Sequence, residues 1–373
     1  MLRFLTAGES HGPCLTAIVE GLPAGLKVDV AAINRDLARR QGGYGRGGRM
    51  KIEHDRVEVL GGVLYGKTTG APVALRIENR DWENWRERWA TGDQPKLTVP
   101  RPGHADYAGM VKYNLDDARP VLERASARET AARVAVGALA KQLLAAFDVA
   151  VGSYVVEIGA VVAPLPELPA RELWALAEES DVRCPDREAA ARMRAAIDAA
   201  REAGDSLGGV FVVVATGVPV GLGSHVHWER RLDARLALAV ASIPAIKGVE
   251  IGPAFENARR PGTQVHDEFG LVDETVTRTS NRAGGIEGGM SNGMPVVVRA
   301  AMKPIPTTVT PLRSVDLATG EPAQTQYQRS DVCAVPAAAV VGEAMVSWVL
   351  ADALIEKFGG DDLERMAQCV TSS

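Results

Sequence analysis

The sequence predicts an α+β fold, on three observations. Apolar runs rich in β-branched residues, typical of strands, are separated along the chain from alanine-rich stretches with helical periodicity. Glycine is abundant, with 38 residues, and marks turns between the strand-like runs. Strands and helices do not alternate regularly, as a parallel sheet would require. Because no linker or composition shift divides the chain, we expect a single domain over residues 1–373.

The individual elements follow from the same patterns. Predicted strands cover residues 16–19, 57–60, 73–77, 210–214 and 296–300. The first clear helix is expected to begin at Ser126, with Glu129 completing a capping box. Further helices are predicted at about 170–179, 187–203, 231–242 and 336–358.

Composition limits the class of protein. A net charge of -5 argues against general binding of nucleic acid. The four cysteines are far apart and lack zinc-site spacing, which indicates reduced thiols and no metal site. The apolar run at the N-terminus is too short for a signal peptide, so we expect a cytoplasmic protein. Residues 335–354 are apolar but contain Glu343 and Asp352, which favours a buried helix over a membrane span.

Residues 61–68, GGVLYGKT, match the nucleotide P-loop pattern in full. That motif needs a helix to follow it, so that helix amides face the phosphates. Here Gly70 and Pro72 follow, and then a strand-like run. A turn between two strands is the better interpretation, and an ATP-using phosphotransferase remains an alternative.

Several segments are suited to binding anions. Residues 39–49 interleave arginines with glycines, which predicts a mobile anion-binding loop, and a basic RNA-binding tract is the alternative. Arg124 and Arg128 flank the helix start at Ser126. The glycine-rich loop 284–293 leads through a strand to residues 303–308, where a lysine, two prolines and two threonines can form a rigid phosphate clamp.

Three residues are candidates for proton transfer. His11 and His104 each follow or precede a glycine, so their imidazoles can approach a ligand closely. Asp331 immediately precedes a predicted helix and could instead be a helix-end carboxylate. Together with the basic segments, these residues suggest acid–base chemistry on a highly charged small molecule.

These segments, in this order, resemble the chorismate synthase family over essentially the whole chain. The resemblance is carried by GESHG at 8–12 with EGLP at 20–23, by RASARET at 124–130, and by RSDVC at 329–333. PRPGHAD at 100–106, KGVEIG at 247–252 and the loop at 284–293 also match, in order. The resemblance implies a layered sandwich with helices between antiparallel β-sheets, assembled as a homotetramer.

The resemblance also implies a function. The family is a lyase of the shikimate pathway of aromatic amino acid biosynthesis. It forms chorismate from 5-enolpyruvylshikimate 3-phosphate by 1,4-anti elimination of phosphate, using reduced FMN without net redox change. Because the chain has no dinucleotide fingerprint or reductase domain, we expect an external flavin reductase to supply FMNH2. NADPH would act indirectly, or at Arg40 and Arg46, which the family also assigns to NADP.

Residue roles carry over by position. His104 is the expected proton donor to the leaving phosphate, His11 would hold or protonate the N1 region of the flavin, and Asp331 would assist its N5 as base. The implied substrate-binding residues are Ser10, Arg40, Arg46 and Arg128. The implied cofactor-binding residues are Arg124, Ala125, Ser126, Pro244, Ala245, Gly288, Lys303, Pro304, Ile305, Pro306, Thr307 and Arg329. Because Ala125 and Pro244 replace residues that are often polar in the family, flavin contacts there should use backbone atoms.

Overall fold

Two antiparallel sheets form the framework of the chain. The computed structural model describes residues 1–48, 53–92 and 94–371. The first sheet has the strand order β1-β2-β6-β3 and the second the order β10-β15-β9-β7-β8. The strands are Arg3–Ala7 (β1), Cys14–Glu20 (β2), Val57–Gly61 (β3), Val63–Leu64 (β4), Lys67–Thr68 (β5), Val73–Glu78 (β6), Ala150–Ile158 (β7), Val161–Val162 (β8), Gly209–Thr216 (β9), Ile246–Ile251 (β10), Phe269–Val272 (β11), Thr275–Arg278 (β12), Ile286–Glu287 (β13), Met290–Ser291 (β14), Val296–Met302 (β15), Arg313–Val315 (β16) and Pro322–Gln324 (β17).

The helices lie between the two sheets and around them. They are Val30–Gln41 (α1), Arg86–Thr91 (α2), Asp106–Tyr113 (α3), Arg119–Ala125 (α4), Thr130–Ala145 (α5), Ala170–Glu178 (α6), Arg187–Glu202 (α7), Leu232–Ala241 (α8), Ala254–Asn257 (α9), Val335–Phe358 (α10) and Leu363–Thr371 (α11). Helix α5 packs on β2 and β6 of the first sheet, while α10 packs on β7 and β9 of the second, and the two helices pack on each other. The predicted α+β fold, with helices between antiparallel sheets, is therefore confirmed.

Helix α10 is the centre of the core. It is long and apolar enough to cross a membrane, but 89% of its most apolar window is buried inside the protein. A helix that is apolar on all sides is typical of a core position, so the prediction of a buried helix is confirmed. Gly137 of α5 makes close packing possible, because a Cβ atom there would lie 2.3 Å from Cβ of Ala344 on α10.

One carboxylate, Glu343 of α10, is fully buried in this apolar helix and is held by cations from three sides. Its oxygens accept hydrogen bonds from both terminal nitrogens of Arg39 on α1 at 2.8 Å. Lys141 of α5 donates over 2.5 Å and Arg183 over 3.2 Å. Burial would raise the pKa of Glu343, but the charges of Lys141 and Arg39 outweigh it and lower the pKa below its usual value. This network fixes the last turn of α1, where Arg40 also lies.

The other predicted strands and helices are confirmed with boundary shifts of at most two residues, but the prediction of the first helix was wrong. Four helices, α1 to α4, precede Ser126. The hydroxyl of Ser126 accepts from the N–H of Arg128, capping the 3₁₀ turn Ala127–Glu129, and α5 follows it. The Glu129 carboxylate accepts from Thr6 and Arg133, so its expected return bond to Ser126 is replaced. The apolar periodicity of helix α1 is too weak to predict it, because the apolar residues buried on it are only Ile33 and Leu37.

The turn interpretation of the P-loop pattern is confirmed. Residues 61–68 form the end of β3 and the short hairpin β4–β5, and β6 begins five residues later. The hydroxyl of Thr68 is buried and donates to the carbonyl of Pro23. No helix follows within this described stretch, so the amides needed for a phosphate cradle are not available.

Candidate active site

His11 lies in the turn between β1 and β2 and is held from two sides. Its ring Nδ1 is 2.8 Å from Oε1 of Glu123 on α4, and its backbone N–H donates to Oε2 of the same carboxylate over 2.8 Å. The indole of Trp85 stacks on the imidazole, with ring centroids 4.1 Å apart. A carboxylate and an aromatic face therefore fix both the position and the plane of this imidazole.

Two hydroxyls meet beside this histidine. Ser10 is buried, and its backbone N–H donates to the carbonyl of Glu123 over 3.1 Å. The hydroxyl of Ser126 lies 3.0 Å from that of Ser10. The turn at 8–12 and the end of α4 are thus joined through main-chain and side-chain contacts.

Arg40 and Arg128 share one buried carboxylate, Asp55. Arg128 donates to Asp55 over 2.5 Å and to Asn79 over 2.8 Å, while Arg40 lies 3.5 Å from the other oxygen of Asp55 and donates to Thr130 over 2.9 Å. Both guanidinium groups are almost fully buried. We call Arg40 and Arg128, which are joined by Asp55, the inner wall of the site.

Burial lowers the pKa of Arg40 to about 9, with Asp55 opposing the shift and the charges of Arg128 and Arg46 adding to it. The side chain is still cationic at neutral pH. Because three guanidinium groups act on one another here, an added anion would relieve part of their mutual repulsion.

Asp331 joins the chain after α1 to the segment before α10. Its Oδ1 accepts from the backbone N–H of Gly47 over 2.6 Å, and its Oδ2 lies 3.0 Å from Nη1 of Arg46. Arg329, two residues earlier, donates to the buried carboxylate of Asp81 over 2.8 Å. The predicted anion-binding segment 39–49 is corrected at its start, because Arg39 and Arg40 belong to α1, and Arg49 lies outside the described residues.

His104 is held by a second buried carboxylate. Its Nδ1 is 2.5 Å from Oδ1 of Asp106, at the start of α3. Oδ2 of Asp106 accepts from both the backbone N–H and Nε of Arg101, at 3.1 and 2.8 Å, and Arg101 also reaches Thr307 over 3.2 Å. Burial opposes ionisation of Asp106, but the hydrogen bonds from His104 and Arg101 prevail and lower its pKa well below the usual range.

The segment from Lys303 to Pro306 lines a cavity of about 300 Å³. Gly103, next to His104, forms part of the same wall, and the ammonium of Lys303 donates to its carbonyl over 2.9 Å. Burial and the nearby charge of Lys247 lower the pKa of Lys303. The remaining predicted residues here, Pro304, Ile305 and Pro306, also lie on the cavity wall, whereas Thr307 is buried behind it against Arg101.

A smaller cavity lies beside Asp106, the partner of His104. Its volume is about 70 Å³, and Asp106, Leu122 and Gln328 contribute to its wall. Leu122 precedes Glu123, and Gln328 precedes Arg329. The wall of this cavity thus includes Asp106 and residues that immediately precede Glu123 and Arg329 in the sequence.

A chain of hydrogen bonds links the end of α4 to Ser242. Arg124 donates to the hydroxyl of Thr6 over 2.8 Å, and Thr6 donates to Glu129 over 2.8 Å. Arg133 donates to Glu129 over 2.9 Å and to the hydroxyl of Ser242 over 2.7 Å.

Pro244 and Ala245 follow Ser242 and lead to the cavity. The carbonyl of Ala245 accepts from the N–H of Lys303 over 2.9 Å, and Ala245 has a positive φ of 68°. Ala125, the last residue of α4, adjoins Ser126 at the other end of the chain of hydrogen bonds. These two predicted cofactor segments are thus connected within one subunit.

Gly288 is apart from the other predicted cofactor residues. It lies in the turn of the β13–β14 hairpin, whose next residue, Gly289, packs on Arg231 at the start of α8. Pro244 follows the end of α8, and Lys303 follows the end of β15. Ten helical residues span about 15 Å, so in a single chain the length of α8 holds this hairpin apart from Pro244.

Known proteins are similar to this chain over nearly its whole length. The sequence profile described as chorismate synthase matches residues 2–355. A protein named chorismate synthase from Geobacter metallireducens is 57% identical over 97% of this chain and 96% of its own, and one from Symbiobacterium thermophilum is 60% identical over the same shares. The chain belongs to the chorismate synthase family. A solved crystal structure of a chorismate synthase has a TM-score of 0.80 and 46% identity, covering 100% of this chain and 96% of that one.

Sequence reasoning missed the residues that hold the two histidines. In this chorismate synthase family member, Glu123, Trp85, Asp106 and Arg101 position the imidazoles, and Asp55 bridges the inner arginines. Asp106 had a local signal, a carboxylate two residues after a histidine. Glu123 had none, because it is 112 residues away from its partner.

Within the described ranges, no group of three or more His, Cys, Asp or Glu side chains is arranged to hold a metal ion.

Proposed function

We propose that this chain converts 5-enolpyruvylshikimate 3-phosphate to chorismate by 1,4-anti elimination of phosphate, with reduced FMN bound and without net redox change. The observation that carries the proposal is the match to the chorismate synthase family over residues 2–355, with His11 and His104 both on the motifs that match. The activity is that of a carbon–oxygen lyase of the shikimate pathway, which leads to the aromatic amino acids.

The residues around the larger cavity suit FMN. Lys303 and Lys247 repel each other as like charges, so the phosphate of a bound flavin would reduce the repulsion between them. The backbone of Pro244, Ala245, Pro304, Ile305 and Pro306 is stiffened by proline and offers little polar side-chain chemistry, as expected for contacts through main-chain atoms. Arg124, Ala125, Ser126, Thr307, Gly288 and Arg329 complete the proposed set. When bound at these residues, reduced FMN would supply electron density to the substrate.

The chain's own residues handle the protons. The elimination removes one proton and one phosphate from the substrate, so one group must accept a proton and another must stabilise the leaving phosphate. We assign the second task to His104, whose Nδ1 is 2.5 Å from Oδ1 of Asp106 and whose Nε2 would donate its proton when both ring nitrogens are protonated. We propose that Asp331 assists in accepting the proton that the substrate loses. Its carboxylate also pairs with Arg46 and accepts from the N–H of Gly47. His11 is proposed to hold the N1 side of the flavin.

The arginines have two proposed roles. Arg46 pairs with a half-buried carboxylate and can exchange it for the substrate's anionic groups. Arg40 is repelled by the charges of Arg128 and Arg46, so binding of the same anions would stabilise its cationic form. Arg128 is only 2% exposed and donates to Asp55, Asn79 and the chain at Glu78, so it acts on the substrate through the inner wall. Ser10 supplies a hydroxyl beside Ser126.

The active form is proposed to be a homotetramer of single-domain chains. One buried apolar cluster runs from Leu2 to Met366 and includes both sheets, which supports one domain. A neighbouring copy could contribute the Gly288 that a single chain holds apart. Exposed apolar residues on the hairpin β11–β12 and on the first sheet offer surfaces for such contacts: Phe269, Leu271, Val272, Val276, Leu5, Ile18 and Leu60. Light scattering of the purified protein tests the assembly.

The source of reduced flavin and the compartment are also proposals. We infer that an external reductase in the cytoplasm supplies FMNH2 and that NADPH acts indirectly, or binds near Arg40 and Arg46. Adding NADPH alone, without reductase, should then give no turnover.

One anaerobic assay tests the activity. Purified protein is mixed with 5-enolpyruvylshikimate 3-phosphate and photoreduced FMN, and phosphate and chorismate are measured together. We expect equal amounts of both products with reduced FMN and none with oxidised FMN. His104→Asn should fold normally and turn over at least ~100-fold more slowly, as expected for loss of a general acid. Failure to release phosphate with fully reduced flavin would refute the proposal.

A further inference from the structure

Glu123 holds the turn that carries His11 through both its side chain and its backbone. The carboxylate is 4% exposed, and its two oxygens each lie 2.8 Å from a nitrogen of His11, one in the ring and one in the backbone. Its own carbonyl accepts from the N–H of Ser10 over 3.1 Å. The next residue, Arg124, donates to the carbonyls of Gly8 and Thr6, which also holds the end of α4 to this turn and to the end of β1.

We propose that Glu123 is a positioning residue that fixes the protonated nitrogen of His11. The backbone N–H of His11 is always a donor, so it occupies Oε2. A carboxylate only accepts hydrogen bonds, so Oε1 requires the proton to be on Nδ1 of the ring. The neutral imidazole is therefore the Nδ1–H tautomer, and Nε2 is the nitrogen left to act on bound ligands. The catalytic consequence rests on the proposed function, but the tautomer does not.

Trp85 complements the carboxylate by controlling the ring plane. The indole and the imidazole are inclined by 30° at 4.1 Å, so the ring cannot rotate away from Glu123 without losing the stack. The pair His104 and Asp106 is similar in part, because one carboxylate oxygen faces Nδ1 of the ring while the other accepts a backbone N–H, here that of Arg101. In this pair Nη2 of Arg101 also lies 3.1 Å from Nδ1 and 3.4 Å from Nε2 of His104.

Replacing Glu123 by glutamine reverses the arrangement while keeping its shape. A glutamine has one oxygen and one NH2 group, and the backbone N–H of His11 needs the oxygen. The NH2 group then faces Nδ1, which must become an acceptor, so the proton moves to Nε2. The substitution therefore converts the ring to the other tautomer with little change in volume.

The test is solid-state ¹⁵N NMR of histidine-labelled protein, at a pH where the ring is neutral. The chain has six histidines, and the spectrum of His11→Asn identifies the His11 signals by subtraction. We expect a protonated Nδ1 in the wild type, a protonated Nε2 in Glu123→Gln, and the wild-type pattern in the control Trp85→Phe. In the anaerobic assay, Glu123→Gln should lower kcat at least ~100-fold with little change in KM.

Each outcome decides the inference. A wild-type His11 protonated at Nε2 would overturn it, and this measurement needs only His11→Asn for the assignment, so it holds even if Glu123→Gln misfolds. A Glu123→Gln protein with Nδ1 still protonated and normal kcat would also overturn it. If the wild type shows the expected tautomer but releases no phosphate, the proposed function fails and the assignment of Glu123 stands.

Discussion

Neutralising Glu343 should destabilise the fold more than any equally small change on the same helix. In Glu343→Gln, one oxygen becomes an NH2 group facing the donors of Arg39, Lys141 or Arg183. Donors then face donors in a buried site, while the cations lose their shared counter-charge. Asp36 and Glu178 still pair with all three of these cations, so the loss is partial.

The expected magnitude is about 3–5 kcal/mol, the usual cost of removing one partner from a buried ion pair. Glu356→Gln is the matched control, because Glu356 is on the same helix and pairs with Arg230 and Arg235 at a site where its side chain is 38% exposed. Such an exposed pair contributes about 0–1 kcal/mol.

Both variants are unfolded in urea at the same protein concentration, and the midpoints are compared at pH 7. We expect a clear shift for Glu343→Gln and almost none for Glu356→Gln. Equal midpoints for the two variants would refute the assignment of Glu343 as the charge that holds α1. Since Arg39 adjoins Arg40, Glu343→Gln should also raise KM for the substrate more than it lowers kcat.

The pH dependence has a defined sign. The folded-state pKa of Glu343 is lowered from its usual value of 4.5. A carboxylate with a lowered pKa contributes its full stabilisation above the unfolded value, and this is lost as the pH falls toward the folded value. The difference in midpoint between wild type and Glu343→Gln should therefore shrink below about pH 4.5 and stay constant from there to neutrality.

Three smaller changes test other parts of the structure. Asp106→Asn should lower kcat at least ~10-fold with a modest change in KM, measured by phosphate release, because the carboxylate orients a general acid. Lys67→Ala should leave turnover within about twofold of wild type, since an exposed hairpin lysine has no part in the proposed site. Gly137→Ala should lower stability by about 1–3 kcal/mol in urea unfolding, because the added methyl group overlaps Ala344. A wild-type rate in Asp106→Asn or a large loss of activity in Lys67→Ala would contradict the first two expectations. An unchanged urea midpoint in Gly137→Ala would contradict the third.

The sequence was most informative where periodicity is strong. Helix α10 was predicted within one residue at its start, because 24 residues of mostly apolar character have few alternatives. β1 and β7 were missed, although both are paired along their length. Their recognition depends on partners distant in the chain, and strand preference is set largely by such packing.

For the site, local motifs indicated the groups that touch ligands, but not the groups that hold them. His11 and His104 are marked by neighbouring glycines, a signal within a few residues. Glu123 is an acidic residue in a short helix like many others in the chain, and its burial is decided by where α4 ends against the β1–β2 turn. A residue whose role is to position another can be recognised only when the fold brings both together.

Arg39 and Arg40 show why the predicted anion-binding loop over residues 39–49 had the wrong start: their partners are known only from the fold. By charge alone they are equivalent and belong with the loop that follows. In a helix, consecutive side chains are about 100° apart, so Arg39 reaches Glu343 in the core while Arg40 reaches Asp55 and Thr130 in the site. One turn of α1 therefore couples the most buried charge of the core to the inner wall of the active site, and a change at either residue should be felt at the other.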